Sequence, residues 1–257
     1  VQTPQSPAQT TEQAAGNVLT PAADLCADEN ISNTVRELEK RTREFDDIYQ
    51  IGLELNGQYS IETVPSMAPM IKDNFPEVEL AGRDMVYPFG GYPISGESTI
   101  YIKNGAILDS AAAEIFQVQS INGPIFKSKE QKEATLINER DAKLLFKAED
   151  LQFLEPKIIP MLPLNLGLKE TINGIIKERP PSLINQDAIF IRDIADEKAA
   201  GNPFTYQTFI QVRKGTNIQA LKDKINALYL SEIATYDKIK STSFSKGNIY
   251  LEPLANI

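Results

Sequence analysis

The sequence predicts an α+β fold, in which a split ferredoxin-like (βαβ) core lobe carries an inserted, mostly β second lobe. Strand and helix patterns alternate over residues 31–92 and again over residues 185–257, whereas the middle of the chain is mostly β in pattern. We therefore expect residues 31–92 and 185–257 to pair in one core lobe. Residues 93–184 would then form the outer lobe as a single insertion.

The composition is that of a globular protein with a leader at its start. Of the 257 residues, 42% are hydrophobic and 24% are charged, which is enough apolar material for a sizeable core. Residues 1–30 are rich in Gln, Thr, Pro and Ala and have few large apolar side chains, so we expect a flexible leader there. No apolar run reaches the roughly 20 residues that span a bilayer.

Charge and residue usage exclude several classes of function. The net charge of −9 gives an acidic surface that repels phosphate backbones, so no nucleic-acid partner is expected. The chain has no histidine and a single cysteine, Cys26, which removes the commonest general base, the commonest metal ligand and any internal disulfide. We predict no enzyme activity, no catalytic residue, no cofactor-binding residue, no cofactor and no metal site.

The N-terminal elements follow from periodicity and turn residues. Apolar residues at alternating steps of four and three predict a helix over residues 31–47, and strict alternation predicts a half-buried strand over residues 48–55. Asn56-Gly57 should end that strand in a turn. A short helix over residues 66–74 and a strand over residues 77–87 complete this half of the core lobe.

The middle of the chain reads as short elements divided by Gly and Pro. We expect a loop over residues 88–98 and a strand over residues 99–108 that turns at Asn104-Gly105. The pattern then predicts, in order, a helix at 109–116, a strand at 134–138, a helix at 139–146 and a strand at 170–177.

The C-terminal part repeats the strand and helix alternation. Strands are predicted at residues 188–192 and 205–213, and residues 214–217 form a turn and helix cap. Ile218, Leu221, Ile225 and Leu228 recur at helical spacing and predict a helix over residues 218–230. A last strand is predicted at residues 248–251.

One segment has the spacing of a phosphate-binding loop. It begins at Gly91 and ends at Ser98, but Glu97 stands where the loop needs a lysine, and Pro93 removes a backbone donor. A carboxylate at that position repels phosphate instead of attracting it. A surface loop between strands is therefore the preferred interpretation.

Clusters of acidic residues do not form a recognisable site. The doublets Asp28-Glu29, Asp46-Asp47 and Glu149-Asp150 are neighbours in sequence, and such neighbours rarely face each other as an acid/base pair. Asp24, Asp28 and Asn30 match a calcium loop only in part, since its glycine and its distal glutamate are missing. Solvated charge is the preferred interpretation of all of them.

Several stretches, taken in order, resemble the periplasmic core domain of MacB-like ABC transporter permeases, in particular the forms common in Bacteroidetes. Residues 45–51 (FDDIYQI) look like the opening strand of that family, and Arg83 falls where the next strand often carries arginine. Further matching segments are 67–79 (MAPMIKDNFPEVE), 136–146 (LINERDAKLLF), 170–180 (ETINGIIKERP), 207–228, and Pro253-Leu254.

The resemblance implies the extracytoplasmic domain of a MacB/FtsX-type permease, on the periplasmic side of the bacterial inner membrane. Such a domain transmits ATPase-driven conformational change to substrates or partner proteins outside the membrane. The implied partners are flanking transmembrane helices, a cytoplasmic ATPase that acts indirectly, and a periplasmic or outer-membrane protein. With flanking membrane helices, both ends of the domain, near Ile31 and Ile257, should lie on one face, with the inserted lobe pointing away from it.

An alternative function stays open from the sequence. A secreted or surface-anchored α+β binding protein would have the same composition and no coupling to an ABC ATPase. An enzyme using carboxylates, lysine or tyrosine is the third alternative, although the sequence offers no constellation of residues for it.

Overall fold

The computed structural model describes residues 45–55, 57–85, 91–94, 98–146, 151, 156–160, 169–177, 186–194, 206–235 and 243–256. The chain divides into two compact units, residues 1–44 and 45–257, and all of the described residues belong to the second unit. The predicted leader and nearly all of the predicted helix at 31–47 therefore lie outside the described residues. Of the helices that are described, none is long and apolar enough to cross a membrane.

The described residues form thirteen strands and four α-helices. The strands are β1 (Ile48–Leu55), β2 (Gln58–Ser60), β3 (Glu62–Thr63), β4 (Val78–Met85), β5 (Gly91–Ile94), β6 (Ser98–Tyr101), β7 (Gly105–Leu108), β8 (Ala134–Ile137), β9 (Lys157–Pro160), β10 (Lys169–Ile175), β11 (Ala188–Ile191), β12 (Tyr206–Val212) and β13 (Asn248–Pro253). The helices are α1 (Met67–Asn74), α2 (Ser110–Ile115), α3 (Glu139–Phe146) and α4 (Ile218–Leu228). This mixture confirms the predicted α+β class.

Eleven of these strands form one mixed sheet. Their order is β13-β1-β12-β4-β7-β11-β8-β10-β9, with β2 beside β1 and β3 beside β12. We call β1–β4, β12 and β13 the core half of the sheet, and β7–β11 the distal half. Strands from both ends of the chain thus pair in the core half, since β1 lies between β12 and β13.

Two elements differ from the sequence-based expectations. The segment expected to be a loop at 88–98 contains β5, which pairs with β6 in a separate antiparallel hairpin, so the loop prediction was wrong there. Strand β11, which we expected in the core lobe, pairs instead with β7 in parallel and with β8 antiparallel. Its four residues are all buried, and a fully buried strand needs partners on both sides. The lobe boundaries themselves stay a prediction.

One face of the core half packs against α1 and α4. Alternation along β1 sends Ile51 and Leu53 to that face, where they pack with Ile71 of α1 and with Leu221 and Ile225 of α4. After Leu228 the helix continues as a π-helical turn, Tyr229–Ile233, rather than as the α-helix that we predicted to residue 230. The distal half has its own apolar cluster, built on α3, β8, β10 and β11.

The start of α4 is marked by residues that are typical of a turn and an N-cap. Asn217 has extended backbone angles, and its side-chain oxygen accepts a hydrogen bond of 3.0 Å from the amide of Ala220. Just before it, Gly215 has a φ of 84°, which a turn at this position requires and which glycine adopts without strain. The predicted turn and cap at residues 214–217 are confirmed.

Replacement of Asn217 by alanine should lower the free energy of unfolding by about 1 kcal/mol, because the amide of Ala220 loses its partner at the start of the helix. Urea unfolding followed by circular dichroism measures the change. The exposed neighbour Lys214 supplies the control, since Lys214→Ala removes a side chain of the same turn without touching the cap. Equal stabilities of the two variants would contradict this role of Asn217.

Candidate functional site at the sheet junction

Few of the acidic features noted in the sequence can be placed. Asp24, Cys26, the Asp28-Glu29 doublet, Asn30 and the Glu149-Asp150 doublet lie outside the described residues. Asp46 and Asp47 precede β1, where their charges act together with burial to raise the pKa of Tyr49. Within the described part of the chain, no three acidic or cysteine side chains come close enough to hold a metal ion. The predicted absence of catalytic, cofactor and metal residues stays a prediction.

The two halves of the sheet meet at the pairing of β4 with β7. In the described residues this pairing has only two registered positions, Asp84 opposite Leu108 and Met85 opposite Ile107. The neighbouring pair β12 and β4, by comparison, is in register along almost the whole of both strands. This pairing joins the strands of the core half to those of the distal half.

Helix α2 covers this junction on one face. It follows β7 directly and packs against β4, where Gly82 lies against its backbone. A Cβ atom built on Gly82 would come within 2.2 Å of the amide nitrogen of Ala112. Glycine is therefore needed at position 82 for the helix to approach the strand this closely.

On the opposite face of β4, a buried ion pair connects this strand to the start of α2. Arg83 of β4 donates from Nε to Oδ2 of Asp109 at 2.9 Å, and both residues are buried. Asp109 is also the N-cap of α2, since its other carboxylate oxygen accepts a hydrogen bond of 2.8 Å from the amide of Ala112. One carboxylate thus connects a strand of the core half to the helix that follows β7.

Two other nitrogen atoms of Arg83 donate to backbone carbonyls of described residues. Nη1 donates to the carbonyl of Pro65, just before α1, at 2.9 Å, and Nη2 donates to the carbonyl of Ile194, just after β11, at 3.0 Å. The guanidinium therefore joins segments of the core half and the distal half through buried, charge-assisted hydrogen bonds. Such bonds are stronger than those between neutral groups. We call Arg83, Asp109, α2 and the β4–β7 pairing the junction.

The carboxyl of Asp84, at the β4–β7 pairing, lies in an environment that favours its neutral form. Burial raises its pKa to about 7 from the ordinary value of 3.8, while a hydrogen bond from the backbone of Ile107 acts in the opposite direction. Its Oδ1 atom is buried and has no hydrogen-bond partner in the described structure. A carboxyl that is largely removed from water in this way is more easily kept neutral than ionised.

A cleft of about 490 Å³ opens beside the ion pair. Its walls come from α1 and β4 on the core side and from residues 126–132 and 192–194 on the distal side, with Arg83 and Asp109 among the lining residues. Lys132 and Asp193 form an exposed ion pair of 3.0 Å at this cleft. The cleft therefore borders both halves of the sheet and changes its width if they move.

The first and last described segments of the chain pack on the same helix. Tyr49 is registered with Pro253 across β1 and β13, so the start of one strand meets the end of the other. Beyond this point Phe45 and Leu254 belong to one apolar cluster with Ile115 at the end of α2. We call this the terminal cluster; its other members are Ile48, Leu80, Phe116 and Phe209. The predicted positions of Ile31 and Ile257 lie outside the described residues.

Sequence reasoning found part of this site. Arg83 was noted through the family resemblance, whereas Asp109 and Asp84 were not singled out. Asp109 could have been found, because an aspartate directly before Ser-Ala-Ala-Ala is an N-cap signal. No local signal marks Asp84, since its burial depends on β7, about twenty residues further along the chain.

Comparisons with known proteins give matches of structure but not of sequence. The chain matches no protein-family model, and no curated protein sequence matches it. A domain of a protein described as a permease from Porphyromonas gingivalis has a TM-score of 0.63 at 20% identity, over 82% of this chain and 91% of that one.

Two further solved structures are similar over most of their length. The extracellular domain of the noncanonic ABC-type transporter YknZ from Gram-positive bacteria has a TM-score of 0.52 at 12% identity, over 74% of this chain and 96% of that one. The periplasmic region of MacB from Actinobacillus actinomycetemcomitans has a TM-score of 0.56 at 8% identity, over 86% and 95%. The chain therefore has the fold of the MacB-like periplasmic domain, as the resemblance of its sequence predicted.

Proposed function

We propose that this chain is the extracytoplasmic domain of an ABC transporter permease and that it transmits conformational change rather than catalysing a reaction. The observation that carries the proposal is the position of α2. This helix contacts the terminal cluster at Ile115 and holds the junction at Asp109, its N-cap. A displacement of Phe45 or Leu254 would therefore reach the junction through one short helix.

The proposed basis of transmission is the division of the sheet into two sets of strands that meet at one pairing. Long pairings such as β1 with β13 and β12 with β4 should move as units, and the β4–β7 pairing is where the two sets would rotate relative to each other. The ion pair of Arg83 and Asp109 would keep the halves attached during that rotation. In this proposal the two halves are the two lobes of the domain.

The proposed partners follow from the same assignment. Transmembrane helices of the parent permease would flank the domain on the periplasmic side of the inner membrane. A cytoplasmic ATPase would drive them, and the distal half would act on a substrate or on a periplasmic or outer-membrane protein. The fold of the three matching structures supports this assignment.

Spin labels on the two halves test the proposal in the full-length gene product. We would label Lys214→Cys, in the turn after β12, and Thr171→Cys, in β10, with the native Cys26 replaced by serine. Both positions are exposed. In lipid nanodiscs with the co-purified ATPase, the distance between the labels should change between the nucleotide-free and ATP-bound states.

A second pair of labels provides the control within the core half. Lys214→Cys and Asn248→Cys are both exposed and both lie in that half, so their distance should stay constant through the cycle. If no ATPase co-purifies, or if the first distance is unchanged by ATP, the transmission proposal is wrong. Such a result would favour a surface binding protein without ABC coupling.

A further inference from the structure

Asp84 lies on β4, the strand that pairs the core half of the sheet with the distal half. Its backbone lies between β12 and β7, opposite Gln207 on one side and Leu108 on the other. Successive side chains of a strand point to opposite faces, so Asp84 shares the face of Gly82 and α2, while Arg83 lies on the other face. The carboxyl is thus placed at the pairing that joins the two halves of the sheet.

Among the described residues, the groups that surround Asp84 are mostly uncharged. Gln207 faces it from β12, and the amide of Gln207 is held by a hydrogen bond of 2.9 Å from Gln50. Leu108 faces it from β7, and α2 contributes alanines and one exposed acid, Glu114. Arg83 is engaged by Asp109 on the opposite face. Within the described residues Asp84 forms no ion pair that would stabilise a carboxylate.

We infer that Asp84 makes the junction sensitive to proton concentration: the neutral acid favours close pairing of β4 with β7, and the carboxylate weakens that pairing. A carboxylate that is largely removed from water and has one oxygen without a hydrogen-bond partner is unstable until water or a donor reaches that oxygen. The inference concerns the isolated domain and does not depend on the transporter assignment.

The direction of the pH dependence follows from the raised pKa. The folded form holds its proton more tightly than the unfolded chain, so stabilisation by neutral Asp84 is fully present below about pH 4. It declines as the pH rises and is lost once the pH passes the folded pKa of about 7. We therefore expect β4 and β7 to be closely paired at pH 5 and loosely paired at pH 8.5.

The test uses the same labels, at positions 171 and 214, on the purified 257-residue chain. The distance distribution should broaden or shift between pH 5 and pH 8.5, with a midpoint near 7. Asp84→Asn replaces the carboxyl by a neutral group of the same shape, so this variant should keep the narrow low-pH distribution at both pH values. Asp73→Asn, an exposed acid beside the cleft, is the matched control and should respond as the unmodified chain does.

Hydrogen exchange of the unmodified chain gives a readout that needs no variant at position 84. After correction for the intrinsic pH dependence, protection of β4 and β7 should fall between pH 5 and pH 8.5, while that of β1 and β13 stays constant. A distance and a protection pattern that are the same at both pH values would overturn the inference. So would a full pH response in Asp84→Asn.

Discussion

Replacement of Arg83 by methionine is expected to lower the free energy of unfolding by about 3–5 kcal/mol. Methionine fills much of the same space but leaves the carboxylate of Asp109 buried without its cationic partner. The carbonyls of Pro65 and Ile194 each lose a donor as well. Urea unfolding measured at pH 7.5 by circular dichroism gives the loss directly.

An exposed ion pair at the same cleft provides the control. Lys132 lies 3.0 Å from Asp193, and both side chains are more than half exposed, so Lys132→Ala should change the stability by less than about 1 kcal/mol. Asp109→Asn in the Arg83→Met background should recover part of the loss, because it removes the unpaired buried charge. A loss below about 1 kcal/mol for Arg83→Met would show that the pair does not hold the junction.

Replacement of Gly82 by valine is expected to destabilise the domain by about 3 kcal/mol. The new Cβ would overlap the backbone of α2 at Ala112 and at Ala111, and a helix backbone cannot move aside without leaving the sheet. Displacement of α2 would also disturb the cap at Asp109. The same urea titration measures the loss, and Gly82→Ala should show a smaller loss in the same direction.

Gly52 of β1 is a matched control, because it is also a buried glycine within a strand. Its Cβ would meet the ring of Tyr250 at 2.3 Å, but that ring is the far end of a side chain that is only partly buried. The ring can swing away, so Gly52→Ala should be tolerated better than Gly82→Ala. Equal losses at the two positions would contradict the close packing of α2 on β4.

Most individual elements could be predicted from sequence because their signals are local. The alternation along β1, the cap at Asn217 and the apolar spacing of α4 all depend on neighbours within a few residues. The bounds of α1, α3 and β10 agree with prediction to within one or two residues. The Arg83 position was found only because the surrounding pattern resembles a family.

The arrangement of the strands could not be predicted in the same way. The position of β11 between β7 and β8 depends on partners roughly 50 to 80 residues away, and no local pattern encodes that pairing. The β5–β6 hairpin was missed because Gly and Pro in its first strand are typical of loops. The raised pKa of Asp84 could not be predicted either, because it depends on the pairing of β4 with β7, about twenty residues further along the chain.

The position of β1 between β12 and β13 has a consequence for how the protein is made. Its partners follow about 155 to 205 residues later, so the contact order of the core half is high and its folding should be slow. A ribosome adds roughly 5–20 residues per second, which leaves β1 without these partners for about ten seconds or more. During that interval the hydrogen-bonding edges that β12 and β13 later cover are exposed to association with other chains. A holding chaperone that binds the nascent chain before β13 is complete should therefore raise the yield of folded protein.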